Sequence, residues 1–220
     1  SGLVLVLATD LTLERNVEAM RRDFVVNVSH ELKTPVGALG LLAEAIQADV
    51  DDSDQVQHFA ERMELESARL SNLIGDIVEL SRLQGDDFEM VFEPVRLSEV
   101  VDLAVDAVAS AAESKNIVIV PAESIDVVVE GTKSQLVAAL RNLVANAIAY
   151  SPENTRVAIG VEQENGMAKI IVADQGSGIP AAELDRIFER FYRVDQARSR
   201  GTGGTGLGLS IVKHICINHG

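Results

Sequence analysis

From residue 11 to about residue 84 the apolar residues recur at alternating steps of three and four, and Pro35 is the only proline in that stretch. This period predicts two long helices. Val25, Val28, Leu32, Pro35, Leu39, Leu42 and Ile46 form one seam; Val56, Phe59, Met63, Leu70, Leu73, Ile77 and Leu80 form a second, interrupted at Glu66. Residues 49–54, Asp-Val-Asp-Asp-Ser-Asp, offer a turn and an N-cap, so the pair is expected to fold back as an antiparallel hairpin. Two helices bury too little apolar surface alone. A symmetric dimer forming a four-helix bundle solves that shortage.

Past the polar run 84–87 the texture changes. A helix is predicted over 97–115, short β-branched runs over 116–120 and 125–129, and a second helix over 133–149. Strands follow at 156–163 and 167–173, joined through Asn165-Gly166, a tight-hairpin signal, and a glycine-rich stretch then leads into a last helix. Helices on a mostly antiparallel sheet make an α+β sandwich. The apolar run 2–8 reads as a strand from something upstream, and the stop at Gly220 directly after a helical pattern reads as the edge of an excised piece.

Composition narrows the function. A chain of 220 residues, 47% apolar and 24% charged, holds one large or two small packed domains. Its 19 basic residues against 34 acidic ones leave a formal charge of −15, which opposes a phosphate backbone or an anionic leaflet, so nucleic acid is not an expected partner. No apolar run is long enough to span a bilayer, and no basic residues precede the first apolar stretch as in a signal peptide. The single cysteine, Cys216, cannot form a disulfide within the chain and fits a reducing, cytoplasmic compartment. Its apolar neighbours suggest a buried small hydrophobe rather than a reactive thiol.

On a helix turning about 100° per residue, the first seam lies on the side opposite His30, which is therefore expected to face water. A lone histidine is ordinarily just a solvated or packed side chain. Glu31 beside it, Asn27 and Thr34 on the same face, and Pro35 breaking the hydrogen-bond ladder give it a chemical setting: an exposed imidazole next to a carboxylate can act as a nucleophile.

The string Phe24-Val25-Val26-Asn27-Val28-Ser29-His30-Glu31-Leu32-Lys33-Thr34-Pro35 closely resembles the phosphoacceptor box of sensor histidine kinases of two-component systems. The resemblance implies that His30 is phosphorylated, that Glu31 is the general base, and that Glu31 with Thr34 serves a phosphatase activity toward the partner response regulator.

Farther along, Asn142 and Asn146 stand four apart on one helical face. Such amides can cross-link a core or bind a ligand, and their oxygens suit a hard, octahedral Mg²⁺. Asp174-Gln175-Gly176-Ser177-Gly178 is by itself an ordinary turn sequence, although its glycines also let backbone approach a ligand and its carboxylate can accept from an adenine amino group. The run Gly201-Thr202-Gly203-Gly204-Thr205-Gly206-Leu207-Gly208 enters a helix directly, a phosphate cradle without P-loop spacing. With Phe188-Glu189-Arg190-Phe191-Tyr192-Arg193 between them, these motifs resemble, in order, the N, G1, F and G2 boxes of the GHKL ATPase fold. The resemblance covers residues 12–220, and segments 21–43, 80–85, 145–152 and 197–208 look most like actinobacterial phosphate-responsive sensor kinases.

What that family implies is specific. The fold would be a helical hairpin, a four-helix bundle on dimerisation, followed by an α+β sandwich of the GHKL ATPase (Bergerat) type. Residues 1–12 would end a PAS-like sensor domain, 13–85 form the dimerisation and phosphotransfer domain, 86–95 a linker, and 96–220 an ATP-binding domain that lacks its closing C-terminal hairpin. ATP and Mg²⁺ would be held by Asn142, Asn146 (the metal ligands), Tyr150, Asp174, Gly176, Gly178, Phe188, Phe191, Gly204, Thr205, Gly206, Leu207 and Gly208, with residues 193–204 as a lid. The partners would be a second copy and a response-regulator receiver domain; the parent protein would be anchored in the cell membrane, with this part cytoplasmic. Ala149 stands where many relatives carry lysine. That departure leaves an alternative open, a nucleotide-sensing scaffold acting mainly as a regulator phosphatase or docking module.

Overall fold

The computed structural model describes residues 12–48, 52–84, 91–121, 127–164, 166–194 and 204–220. The upstream strand expected at residues 2–8 and most of the expected lid lie outside them. The chain divides into two compact units, residues 1–70 and 71–220. Among the described residues no helix is long and apolar enough to cross a membrane.

Two long helices form as the three-four period requires: α1 (Thr12–Ala48) and α2 (Ser53–Gln84), a helical hairpin. Asp52 starts α2, its Oδ1 accepting from the Gln55 backbone N–H at 3.1 Å and its Oδ2 from the Gln55 side chain at 3.1 Å. The backbone and then the side-chain bond from Gln55 hold the Asp52 carboxyl below its ordinary range. Pro35 lies inside α1 and is buried. Seam positions Val28, Leu32, Leu39, Leu42 and Ile46 are half-buried, but Val25 is 62% exposed. The heptad rule fixes which way a side chain points, and Val25 points that way without a covering neighbour in the single chain.

The second unit takes in the end of α2 and runs on through the segment expected to be a linker. β1 (Glu93–Arg96) is a short strand that pairs antiparallel with β3 (Val128–Gly131), so residues 93–95 belong to a sheet. Pro94 is compatible with that because β1 is an edge strand of a two-stranded ribbon. α3 (Leu97–Ser114) leads to β2 (Val118–Pro121), and α4 (Lys133–Tyr150) to β4 (Arg156–Glu164) and β5 (Met167–Ala173). The three-stranded sheet has the order β2-β4-β5: β4 and β5 pair antiparallel, whereas β2 runs parallel to β4. A 3-10 turn (Ala181–Glu183) and α5 (Gly208–Asn218) complete the unit.

The core lies between this sheet and the packed pair α3 and α4. Val157, Ile159 and Val161 alternate inward along β4 against Val100, Ala104 and Val108 of α3 and Leu140, Val144 and Ile148 of α4. Ile211, Val212 and Ile215 bury one arc of α5. Cys216 falls just beyond that arc and is exposed, which corrects the expectation of a buried cysteine. Apolar neighbours in sequence are not neighbours around a helix. Its sulfur is nonetheless shielded enough that burial raises the thiol pKa.

Both ends of α4 are pinned. At its C-terminus the Lys115 ammonium donates to the carbonyls of Ile148, Ala149 and Ser151 at 2.9, 2.7 and 3.3 Å, a favourable charge for a helix C-terminus. At its N-terminus the Thr132 backbone N–H donates to His219 Nε2 at 3.0 Å, while His219 Nδ1–H donates to the Ile215 carbonyl at 2.8 Å. The imidazole thereby caps α4 from α5. His219→Ala should leave that N–H unpaired and lower the stability of the second unit by about 1–3 kcal/mol, read by thermal unfolding of the whole chain. An unchanged midpoint would reduce His219 to an incidental contact.

Candidate functional site

His30 is exposed on α1, and Thr34, one turn on, is exposed beside it with its hydroxyl donating to the His30 carbonyl at 3.4 Å. Glu31 is half-buried. The structure thus leaves the imidazole open to an approaching group.

The second cluster grows from α4. Leu140, Val144, Ala147 and Ile148 face the core, which turns the stripe Asn142, Ala145, Asn146, Ala149 and Tyr150 the other way, into a cavity of about 560 Å³. The small side chains of Ala145 and Ala149 leave room between the amides and the ring. Asn142 ties its own amide nitrogen to the Ala138 carbonyl at 2.9 Å, so its oxygen is the group it presents. That oxygen would meet a Cβ at position 208 at 2.8 Å, which is why the first residue of α5 is Gly208.

The far wall is the segment entering α5. Thr205 links its parts: its Oγ1 accepts from the Leu207 backbone N–H at 3.2 Å and donates to Asp76 Oδ2 at 2.6 Å. Gly206 has φ of 73° and lies so close to Phe191 that a Cβ would sit 2.9 Å from the Phe191 backbone. The Phe191 N–H donates to the Gly206 carbonyl at 2.9 Å. Tyr192 next to it donates to Glu183, which raises the phenol pKa, and lies under the Arg186 guanidinium at 4.2 Å.

Gly204, Thr205, Gly206 and Gly208 therefore line the cavity together with Asn142, Asn146 and Tyr150. Leu207 instead points into the core, and Phe188, Phe191, Asp174, Gly176 and Gly178 lie outside the lining. Asp174 is exposed at the end of β5, with Oδ1 accepting from the Gly176 N–H at 2.7 Å. Its turn packs on the end of α4: a Cβ at Gly176 would be 2.9 Å from the Tyr150 carbonyl. Asp174 thus flanks the cavity at its Tyr150 side, with its second oxygen clear of that bond.

The cavity also holds charges the motifs did not nominate. Asp76 and Glu79 of α2 line it, and Glu79 Oε2 pairs with an Arg141 terminal nitrogen at 3.1 Å. Burial raises both carboxyl pKa values; the Thr205 bond opposes this at Asp76, and Arg141 opposes it at Glu79. Arg141 directly precedes Asn142, and in sequence it looks like any solvent-facing helix arginine. Asp76 and Glu79 flank the α2 seam, the only trace either leaves in sequence.

Comparison with known proteins agrees with this arrangement. Residues 20–86 match the His Kinase A (phospho-acceptor) domain and residues 131–220 the histidine kinase-, DNA gyrase B-, and HSP90-like ATPase. The sensor-like histidine kinase SenX3 of Mycolicibacterium smegmatis is 50% identical over 210 residues, 96% of this chain and 55% of that protein. The phosphate regulon sensor protein PhoR of Pseudomonas aeruginosa is 36% identical over 218 residues, 98% of this chain and 49% of that protein. The chain thus spans about half the length of these relatives. Among solved structures, histidine kinase ThkA in complex with response regulator protein TrrA superposes with a TM-score of 0.69 at 22% identity, over 81% of this chain and 53% of that one, a likeness of fold. With the phosphoacceptor and ATPase domains matched in the order in which the exposed histidine and the glycine-rimmed cavity lie, this chain belongs to the sensor histidine kinases.

Proposed function

We propose that the chain is the catalytic core of a homodimeric sensor histidine kinase that binds Mg·ATP in the second unit, phosphorylates His30, and passes the phosphoryl group to an aspartate of a response regulator. The observation that carries this reading is the pairing, in one chain, of an exposed His30, followed by the half-buried Glu31, on a long helix with an amide- and glycine-lined cavity at a helix N-terminus. In the transfer, a His30 ring nitrogen forms a bond to the γ-phosphorus, the bond from that phosphorus to the β-bridging oxygen breaks, and ADP leaves. Glu31 takes the imidazole proton.

The residues present suit the nucleotide. Free backbone amides where the glycine segment enters α5 favour phosphates, and the Gly208 contact shows that backbone comes close to the Asn142 oxygen. Asn146 and Asn142 supply amide oxygens for Mg²⁺, which in such sites neutralises charge on the transferring phosphoryl group. Asp174, with one oxygen free of the Gly176 bond, accepts from the adenine amino group beside Tyr150. Thr34 positions water for dephosphorylation of the regulator. Pairing with a receiver domain is supported by the complex formed by ThkA, and dimerisation by the apolar seams on α1 and α2.

The reading is tested by incubating the whole chain with [γ-³²P]ATP and Mg²⁺. Acid-labile, base-stable label on the protein is expected. Tight nucleotide binding with no label would favour the scaffold reading, in which the module senses nucleotide and acts on its regulator without phosphorylating itself.

A further inference from the structure

We propose that Asp76 and Glu79 of α2 are an internal stand-in for the nucleotide's phosphates, so that seating of the 71–84 segment on the cavity and binding of a triphosphate there exclude one another. The proposal rests on the reading of this cavity as the ATP site and goes beyond it by assigning the residues that set its affinity.

Three observations carry it. Asp76 Oδ2 takes the hydroxyl of Thr205, three residues before the start of α5, at 2.6 Å, a donor that would otherwise face an anion at that helix N-terminus. Glu79 Oε2 takes the Arg141 guanidinium at 3.1 Å, a cation among the lining residues. Both carboxylates line the same cavity as Asn142, Asn146, Gly204 and Gly206. The donors that suit a polyphosphate are therefore already bonded to carboxylate oxygens set one helical turn apart on α2.

Two anions cannot share that space cheaply. Burial already raises the pKa of both acids, Asp76 adds to the rise at Glu79, and a triphosphate would bring several more negative charges within a few ångströms. A phosphate that takes Thr205 and Arg141 must displace the carboxylates, and α2 carries them away as one rigid element. Adenosine, which lacks phosphates, has no such conflict. Discrimination therefore depends on phosphate number.

The test is calorimetric titration of the whole chain and of the Asp76→Asn/Glu79→Gln double variant with ATP, AMP and adenosine at fixed Mg²⁺. The double variant keeps side-chain shape and removes the competing charge. It should bind ATP at least tenfold more tightly, AMP a few-fold more tightly, and adenosine within twofold of the unsubstituted chain; Glu162→Gln, on β4 away from the cavity, should change none of these. Equal ATP affinity overturns the proposal. So does weaker ATP binding, which would mean that the carboxylates help hold the cation, or a gain shared equally by adenosine. Failure of both chains to bind any of the three ligands overturns the ATP-site reading as well. Hydrogen exchange keeps the question open to disproof without a substitution: a non-hydrolysable ATP analogue should speed exchange of amides 72–80 in the unsubstituted chain while adenosine leaves it unchanged, and unchanged or slower exchange with the analogue overturns the exclusion.

Discussion

His30→Gln is expected to abolish acid-labile, base-stable phosphoryl label on the chain, while ATP affinity and thermal stability stay at their unsubstituted values. Glutamine keeps a polar amide of similar reach but has no nitrogen with a free lone pair for attack on phosphorus. His30 is exposed and its ring makes no hydrogen bond among the described residues, so the change in stability should stay within about 0.5 kcal/mol. Of the other histidines, His219 caps α4 and His214 donates to the Ser210 carbonyl at 2.8 Å, so both rings are committed. His58 packs near the Phe59 ring with centroids 6.0 Å apart and has aspartate nowhere adjacent in sequence. Autoradiography of the variant after saturating incubation is the measurement; label surviving at His58 or elsewhere would move the acceptor and undo the assignment.

How much of this could be read before any coordinates depends on the range of the interaction involved. Helix α4 and strand β5 fall where periodicity puts them, at Lys133–Tyr150 and Met167–Ala173, because each turns one face to the core, buried in α4 and half-buried in β5, whose spacing is local information. Strand β1 escaped because four residues containing Pro94 show no period, and only their partner β3 makes them a strand. Cys216 misled for a related reason: its apolar neighbours are adjacent along the chain but belong to a different arc of α5.

The same distinction governs the site. The asparagine stripe and the glycine segment were legible because helix geometry and glycine's small size act locally, and they do line one cavity. Asp76 and Glu79 were not, since a carboxylate beside a helical seam looks like any solvated residue until Thr205, distant in sequence, is found bonded to it. Asp174 shows the converse. Its turn was recognised, yet the Gly176 bond that fixes one of its oxygens depends on a turn geometry that the five-residue motif leaves undetermined.

Gly206→Ala should produce the largest loss among the cavity glycines. Position 206 has φ of 73°, a region that costs an L-residue about 1–2 kcal/mol. An added Cβ would also lie 2.9 Å from both Cα and the carbonyl carbon of Phe191, and backbone, unlike the end of a flexible side chain, cannot swing aside. Relief requires opening the Phe191 N–H bond to the Gly206 carbonyl, about 0.5–1.5 kcal/mol more. The expected destabilisation is therefore about 1.5–3.5 kcal/mol. Because Thr205 precedes this residue and the buried Leu207 follows it, the displacement passes straight to the start of α5, and ATP affinity should fall by at least tenfold, about 1.4 kcal/mol. Gly204→Ala is the control: its nearest neighbour would be an Arg193 terminal nitrogen at 3.8 Å, an ordinary contact, and its φ lies outside the left-handed region. Thermal unfolding and ATP titration of the two variants side by side decide the point. If Gly206→Ala melts and binds like Gly204→Ala, the close approach to Phe191 does not shape the phosphate end of the cavity.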